Sequence, residues 1–244
     1  TVRGGKMANP LEHTDLIWDS DITPEGVVVS YHREVFGVDV FGNFANFFVN
    51  EVNQDHDTIL NVYQAGVRAP LPCGINSMLA VGLYDFEGYE DLASTANGYN
   101  RTFQMVNVLA QLKFQACGLP WKVYFDWVHN TEDHDTTNDY QNADDGYALG
   151  AKVGKNKKQG DWSVGYQWKY IEYNATPGQL NDADFGARGP SLGTNVNVKG
   201  HVVKTAYNLT DFLTAGGAFF FTQPITGDRG EDDFLFQFDL IWKF

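Results

Sequence analysis

Along most of this chain, apolar and polar side chains change places at every step. In residues 162–170, Trp162, Val164, Tyr166, Trp168 and Tyr170 fall on one side of an extended chain, with Ser163, Gly165, Gln167 and Lys169 on the other. Residues 121–127 set Trp121, Val123, Phe125 and Trp127 against Lys122, Tyr124 and Asp126. Residues 106–114 set Val106, Val108, Ala110, Leu112 and Phe114 against Asn107, Gln111 and Lys113, and 147–153 set Tyr147, Leu149, Ala151 and Val153 against Gly150 and Lys152. Residues 196–202 are read with Val196, Val198, Gly200 and Val202 on the apolar face and Lys199 and His201 on the polar one. The last stretch, 234–244, aligns Phe234, Phe236, Phe238, Leu240, Trp242 and Phe244. A period of two repeated over about ten residues predicts β-strands with two different faces.

Extending the pattern gives twelve strands, near 1–7, 26–33, 38–50, 58–68, 76–87, 103–116, 121–129, 146–156, 162–173, 195–207, 212–223 and 234–244. Tight connections such as "CGLP" and "NLTD" alternate with long polar ones such as "HNTEDHDTTNDYQNADD". Short turns at one end and long loops at the other are the habit of a transmembrane barrel. A soluble sandwich would alternate too, but its core is mostly aliphatic. Here Trp and Tyr gather toward the ends of the apolar faces, where amphipathic rings meet lipid headgroups. The predicted fold class is therefore all-β: a transmembrane, antiparallel, up-and-down β-barrel, integral to the bacterial outer membrane.

Composition sharpens this. The chain has 244 residues, 15% of them aromatic, yet its mean hydropathy is −0.33, so the aromatics are arranged rather than massed. A formal charge of −14 leaves no basic stripe for phosphates, which excludes nucleic acid as a partner. The acid sits in the long connections. Cys73 and Cys117 form no metal or haem spacing, and a disulfide between them stays open. None of the six histidines lies in a recognisable catalytic motif, so the chain is not read as an enzyme.

Residues 4–31, "GGKMANPLEHTDLIWDSDITPEGVVVSY", together with the Phe-terminated last strand, resemble bacterial outer-membrane porins. The group resembled is that of the putative porins, distantly like phosphate-selective and general diffusion porins. The resemblance implies one barrel domain over 1–244, sixteen-stranded with twelve strands in this chain and four N-terminal ones missing from it. A smaller barrel of twelve is the second choice. It also implies a homotrimer, and a loop at residues 9–25 that folds into the pore.

That loop carries Glu12, Asp15, Asp19, Asp21 and Glu25, with Ile17 and Trp18 to anchor it. The strands are expected to point Lys113, Lys122, Lys152, Lys169, Lys199 and His201 into the lumen. Acid facing base across a narrow passage sets up a transverse field. The expected function is a water-filled channel for passive diffusion of small hydrophilic solutes and ions. Weak selectivity goes with a folded-in loop and anion preference with a loop that stays outside. The alternative is a structural sleeve holding a partner such as an electron-transfer protein. Phe244 and Trp242 are the expected grip for barrel-assembly machinery. No cofactor is expected beyond Ca²⁺ at the outer loops, where Asp133, Asp135, Asp232 and Asp233 offer oxygen ligands and a bridge to lipopolysaccharide.

Overall fold

In a computed structural model, residues 1–50, 58–88, 102–132, 142–186, 195–226 and 232–243 are described. Twelve strands follow one another: β1 (Val2–Lys6), β2 (Glu25–Val35), β3 (Val38–Asn50), β4 (Thr58–Leu71), β5 (Ile75–Glu87) and β6 (Gln104–Ala116), then β7 (Leu119–Asn130), β8 (Asp145–Gly154), β9 (Trp162–Ile171), β10 (Val198–Asn208), β11 (Leu213–Pro224) and β12 (Asp233–Trp242). Every strand pairs antiparallel with its sequence neighbours in a single sheet, whose edges are β1 and β12. The tenth strand starts later than its apolar pattern suggests. Asn195 and Asn197 take φ values of 53° and 58°, so the backbone just before Val198 is left-handed rather than extended.

Register fixes the faces. Tyr147 stands opposite Tyr170 and Trp127, and Trp162 opposite Tyr207, all on the outer face. Phe219 and Phe221 meet Phe236 and Phe234 there, with ring centroids 4.7 and 5.0 Å apart. Trp121, Trp162 and Trp242 lie at the turn end of this face, and Trp127 and Trp168 at the loop end. Between them run Val, Leu, Ala and Phe. Many of these are openly exposed, including Phe238 at 62% and Leu240 at 61%, an arrangement suited to hydrocarbon and not to water.

The inner face is a different surface. In its loop-side half, Val28, Phe47, Leu60, Tyr84, Met105, Val128, Ile171, Val198 and Phe220, drawn from β2 through β11, form one cluster with Leu16, Ile17 and Trp18. In a flat sheet, strands spaced about 4.8 Å apart would hold β2 and β11 roughly 43 Å from each other. The sheet is therefore curled into a deep trough, and the segment after β1 fills its middle.

Candidate functional site: a loop docked across the inner wall

Residues 7–24, between β1 and β2, hold themselves in shape before they meet the wall. The Thr14 carbonyl accepts the amides of Ile17 and Trp18, and the Trp18 indole donates to the Ile22 carbonyl at 2.9 Å. This turn aims Leu16, Ile17 and Trp18 at the wall, where they are 0%, 0% and 3% exposed. Burying three such side chains is worth about 1.5–3 kcal/mol each, the largest contribution to docking. Gly146 of β8 makes the seat. A Cβ there would lie 2.7 Å from the Val128 side chain and 3.4 Å from Leu16.

Polar contacts then fix the register of the loop. Gln64 of β4 donates to the Glu12 carbonyl at 2.7 Å and accepts the Glu12 amide at 2.9 Å. Arg68, two inward positions further toward the turn on the same strand, forks between Glu12 at 2.6 Å and Asp39 of β3 at 2.8 Å. The Thr14 hydroxyl donates to Asp126 of β7, a wholly buried carboxyl that also accepts from Asn107 at 2.6 Å. On the far side Lys204 of β10 pairs with the Asp15 carboxylate at 3.2 Å, and Lys169 of β9 donates to the Asp15 carbonyl at 3.3 Å. Residues 12–15 span at most about 11 Å of chain, yet they touch β4 at one end and β10 at the other.

The loop's titrating groups are set by this docking. Burial alone would raise the Asp15 carboxyl, but Lys204 and Lys169 outweigh it and hold the group below the ordinary carboxylate value. Burial lowers His13, whose Nδ1 is shut away from water without a hydrogen-bond partner. Asp19 is raised, mainly by burial.

A second inward segment was not anticipated. Residues 172–186, after β9, also enter the trough, with Asn174, Ala175 and Thr176 fully buried. The Asp19 amide donates to the Leu180 carbonyl at 2.7 Å, joining the two segments. Phe185 lies over the Lys169 ammonium, 4.1 Å from ring centre to nitrogen. The signal in the sequence was faint: Tyr173, Ala175, Leu180 and Phe185 are apolar residues without period, in a stretch that otherwise reads as a polar connection.

Of the five acids expected on the loop, Glu12 and Asp15 meet the wall. Asp19 binds the Asp21 amide at 3.0 Å, Asp21 is exposed, and Glu25 is the exposed first residue of β2, opposite Lys6. Of the six wall cations, Lys113, Lys122 and Lys152 face inward in direct register. Lys169 faces inward but is 0% exposed, so it anchors loops and meets no solvent. Lys199 and His201 must be corrected: they are on the outer face. Lys199 stands opposite Tyr170 and His201 opposite Trp168, and the Tyr166 hydroxyl lies 2.8 Å from His201 Nδ1. The valines of β10 deceived the pattern because they face the apolar packing around the loops. Lys204, the residue that meets Asp15, was missed for the same reason.

Trp242 is exposed on the outer face beside Phe212, whereas Phe244, Asp133 and Asp135 lie outside the described residues. Asp232 is exposed, and Asp233 opens β12 opposite Thr222. Among the described residues, no three or more His, Cys, Asp or Glu side chains converge as a metal site would require. Cys73 and Cys117 are free and exposed, in separate tight turns.

An all-β, up-and-down antiparallel sheet with an apolar outer belt and a loop docked on its inner wall defines a porin-type protein. The chain matches the family described as "Putative porin" over residues 1–118 and 89–244, and so belongs to that family. A search of curated proteins returned no match.

Proposed function

We propose that this protein is an outer-membrane diffusion channel in which residues 9–22 form the constriction, admitting small hydrophilic solutes and ions. The observation that carries this reading is the docking of the loop across the trough, pinned to β4 by Glu12 and to β10 by Asp15. Two spaces lined by charged groups flank it on the turn side. One holds Glu12, Glu34, Asp39, Arg68 and Lys113, and the other Asp15, Lys122, Lys152 and Lys204. The first carries more acid and the second more base, so a solute passing the loop crosses a transverse field that water screens poorly in a narrow passage.

A sheet with free edges is not stable in hydrocarbon, because every backbone group there must be paired. The barrel reading therefore requires that β1 and β12 be closed, by each other or through further strands. A sleeve around a threaded partner is disfavoured, since this chain's own loops occupy the loop-side half of the trough. Conductance of the purified protein in a planar bilayer tests the proposal. Discrete ohmic steps in KCl are expected, and a protein that inserts without conducting would overturn it.

A further inference from the structure

The tight connections are not all alike. Phe36 and Gly37 alone turn the chain between β2 and β3, and Cys117 and Gly118 alone between β6 and β7, which is all an antiparallel pair needs. Residues 155–161, "KNKKQGD", join β8 to β9 and are far longer than that. The extra length is held by hydrogen bonds. The Asp161 carboxylate accepts the amides of Lys157 and Lys158, both at 3.0 Å, and the Asp161 carbonyl accepts the Asn208 amide at 2.9 Å. The Gly160 amide donates to the Asn208 carbonyl at 2.9 Å, and the Gln159 amide donates to the Asp211 carboxylate at 2.6 Å. The turn is thereby strapped to the next one, between β10 and β11.

This bracing occupies the acid and leaves the base. Asp161 and Asp211 accept backbone amides, whereas Lys155, Lys157 and Lys158 are exposed and, among the described residues, in no ion pair. Asp161 is within electrostatic reach of Lys155 and Lys158, but one carboxylate does not offset three ammoniums. A chain of net charge −14, with its acid in the long connections at the opposite end, thus presents a positive patch at its turn end. The position of the patch says what it meets. The Lys155 amide donates to the Trp162 carbonyl at 3.0 Å, and Lys155 follows Val153 at the two-residue spacing of the outer face. Trp121 stands opposite Val153 and Tyr207 opposite Trp162, so the ammoniums border the aromatic belt that marks headgroup depth. A polymer or protein beyond the leaflet has no reason to be matched to that belt; a lipid headgroup sits in it.

We propose that the β8–β9 turn is a docking site for an anionic phospholipid of the leaflet that surrounds the turn ends. The lipid phosphodiester lies among Lys155, Lys157 and Lys158, and its acyl chains run along the apolar outer belt. Each lysine near an anionic lipid surface strengthens binding by about fivefold, so three together separate an anionic headgroup from a zwitterionic one. The strapping of the turn matters here, because ordering a loose loop on binding would cost part of that gain. Screening over about 8 Å at physiological salt makes the contact salt-sensitive. The proposal rests on the membrane-spanning reading for its setting. It does not rest on conduction, since none of the three lysines lines the spaces that flank the constriction.

The experiment uses the full chain in detergent, titrated with dioleoyl phosphatidylglycerol and, as the zwitterionic control, dioleoyl phosphatidylcholine, with bound lipid counted by native mass spectrometry. Phosphatidylglycerol is expected to bind at concentrations at least about tenfold below those of phosphatidylcholine, and added salt should narrow the gap. Lys155→Gln with Lys157→Gln and Lys158→Gln should weaken phosphatidylglycerol binding by at least about tenfold, whereas arginine at the same three positions should hold it within about threefold. The three side chains are exposed and the hydrogen bonds they donate from are backbone amides, so folding is not endangered. Equal binding of the two lipids, or a glutamine variant that keeps the preference, would overturn the site. Displacement of the lipid by glycerol 1-phosphate at matching concentration, or binding of peptidoglycan fragments in its place, would overturn the assignment to lipid. In planar bilayers, a protein that shows the lipid preference but passes no current would keep this site and overturn the channel. One that conducts without the preference would do the reverse.

Discussion

Asp15 and Lys204 are 189 residues apart in sequence, and their side chains meet at 3.2 Å across the trough. The lysine is half exposed, so the pair contributes about 1 kcal/mol or less to docking, far below the apolar anchor beside it. Its larger consequence is electrical. Asp15→Asn leaves Lys204 unmatched at the narrow passage, and reversal potentials in a KCl gradient should move toward anions with little loss of stability. Asp21→Asn, on an exposed residue, should leave them unchanged. Equal shifts from both substitutions would mean that the loop is not docked as described.

The loop should loosen in acid, in two stages. His13 is lowered on docking, so the released loop takes up a proton more readily; docking is strongest above the ordinary value of 6.5 and weakens as pH falls below it. Asp15 is also lowered. Its contribution is present above the ordinary value of 3.8 and is lost as pH falls through the depressed one. Asp19 is raised and runs the other way, favouring the docked loop slightly as it protonates. Open-channel current noise should therefore rise as pH falls below about 6.5 and rise again below about 4. His13→Gln should abolish the first rise and keep the second.

Thr14 is the point where docking is most easily damaged without touching a net charge. Thr14→Val removes the hydroxyl that serves Asp126 and leaves that buried carboxyl with Asn107. An uncompensated buried polar group costs about 1–3 kcal/mol, more for a charged one. The variant barrel should still resist heating in detergent, because its ladders are intact. Limited proteolysis should instead reach the loop near residue 14. Protection equal to that of the unchanged protein would argue against the contact with Asp126.

Strand positions were readable because a two-residue period survives whether a face meets lipid or water. Which face meets which was harder. In β9 the aromatic row Trp162 to Tyr170 is outward, as its amphipathic rings suggest. In β10 the apolar row Val198, Gly200 and Val202 is inward, packed among Ile171, Ala218 and Phe220. Inward apolar residues arise where a loop fills the trough, and nothing local in β10 announces a loop attached to β1. Lys204 and the inward course of 172–186 escaped notice for that reason, since both depend on contacts between distant parts of the chain. Glu12 and Asp15 could be named from the loop itself, whereas their partners Arg68 and Lys204 could not.

The reversed face of β10 gives the last prediction, which separates the lumen from the lipid surface by chemistry. Native Cys73 and Cys117 must go first. Both sit at positive φ, 62° and 52°, so Asn, which tolerates that conformation, is the substitution that keeps the turns. On this background a single cysteine at 152 should react with a charged, water-soluble thiol reagent and lower the conductance of open channels. A cysteine at 199 should leave conductance unchanged and react instead with a lipophilic maleimide at headgroup depth, because Lys199 stands on the outer belt with Tyr170. The prediction turns on a one-residue difference of face along β10, which also places Val202 inward toward the packed loops. Blocking of current from position 199 would return Lys199 and His201 to the lumen and overturn the register of β10 against β9.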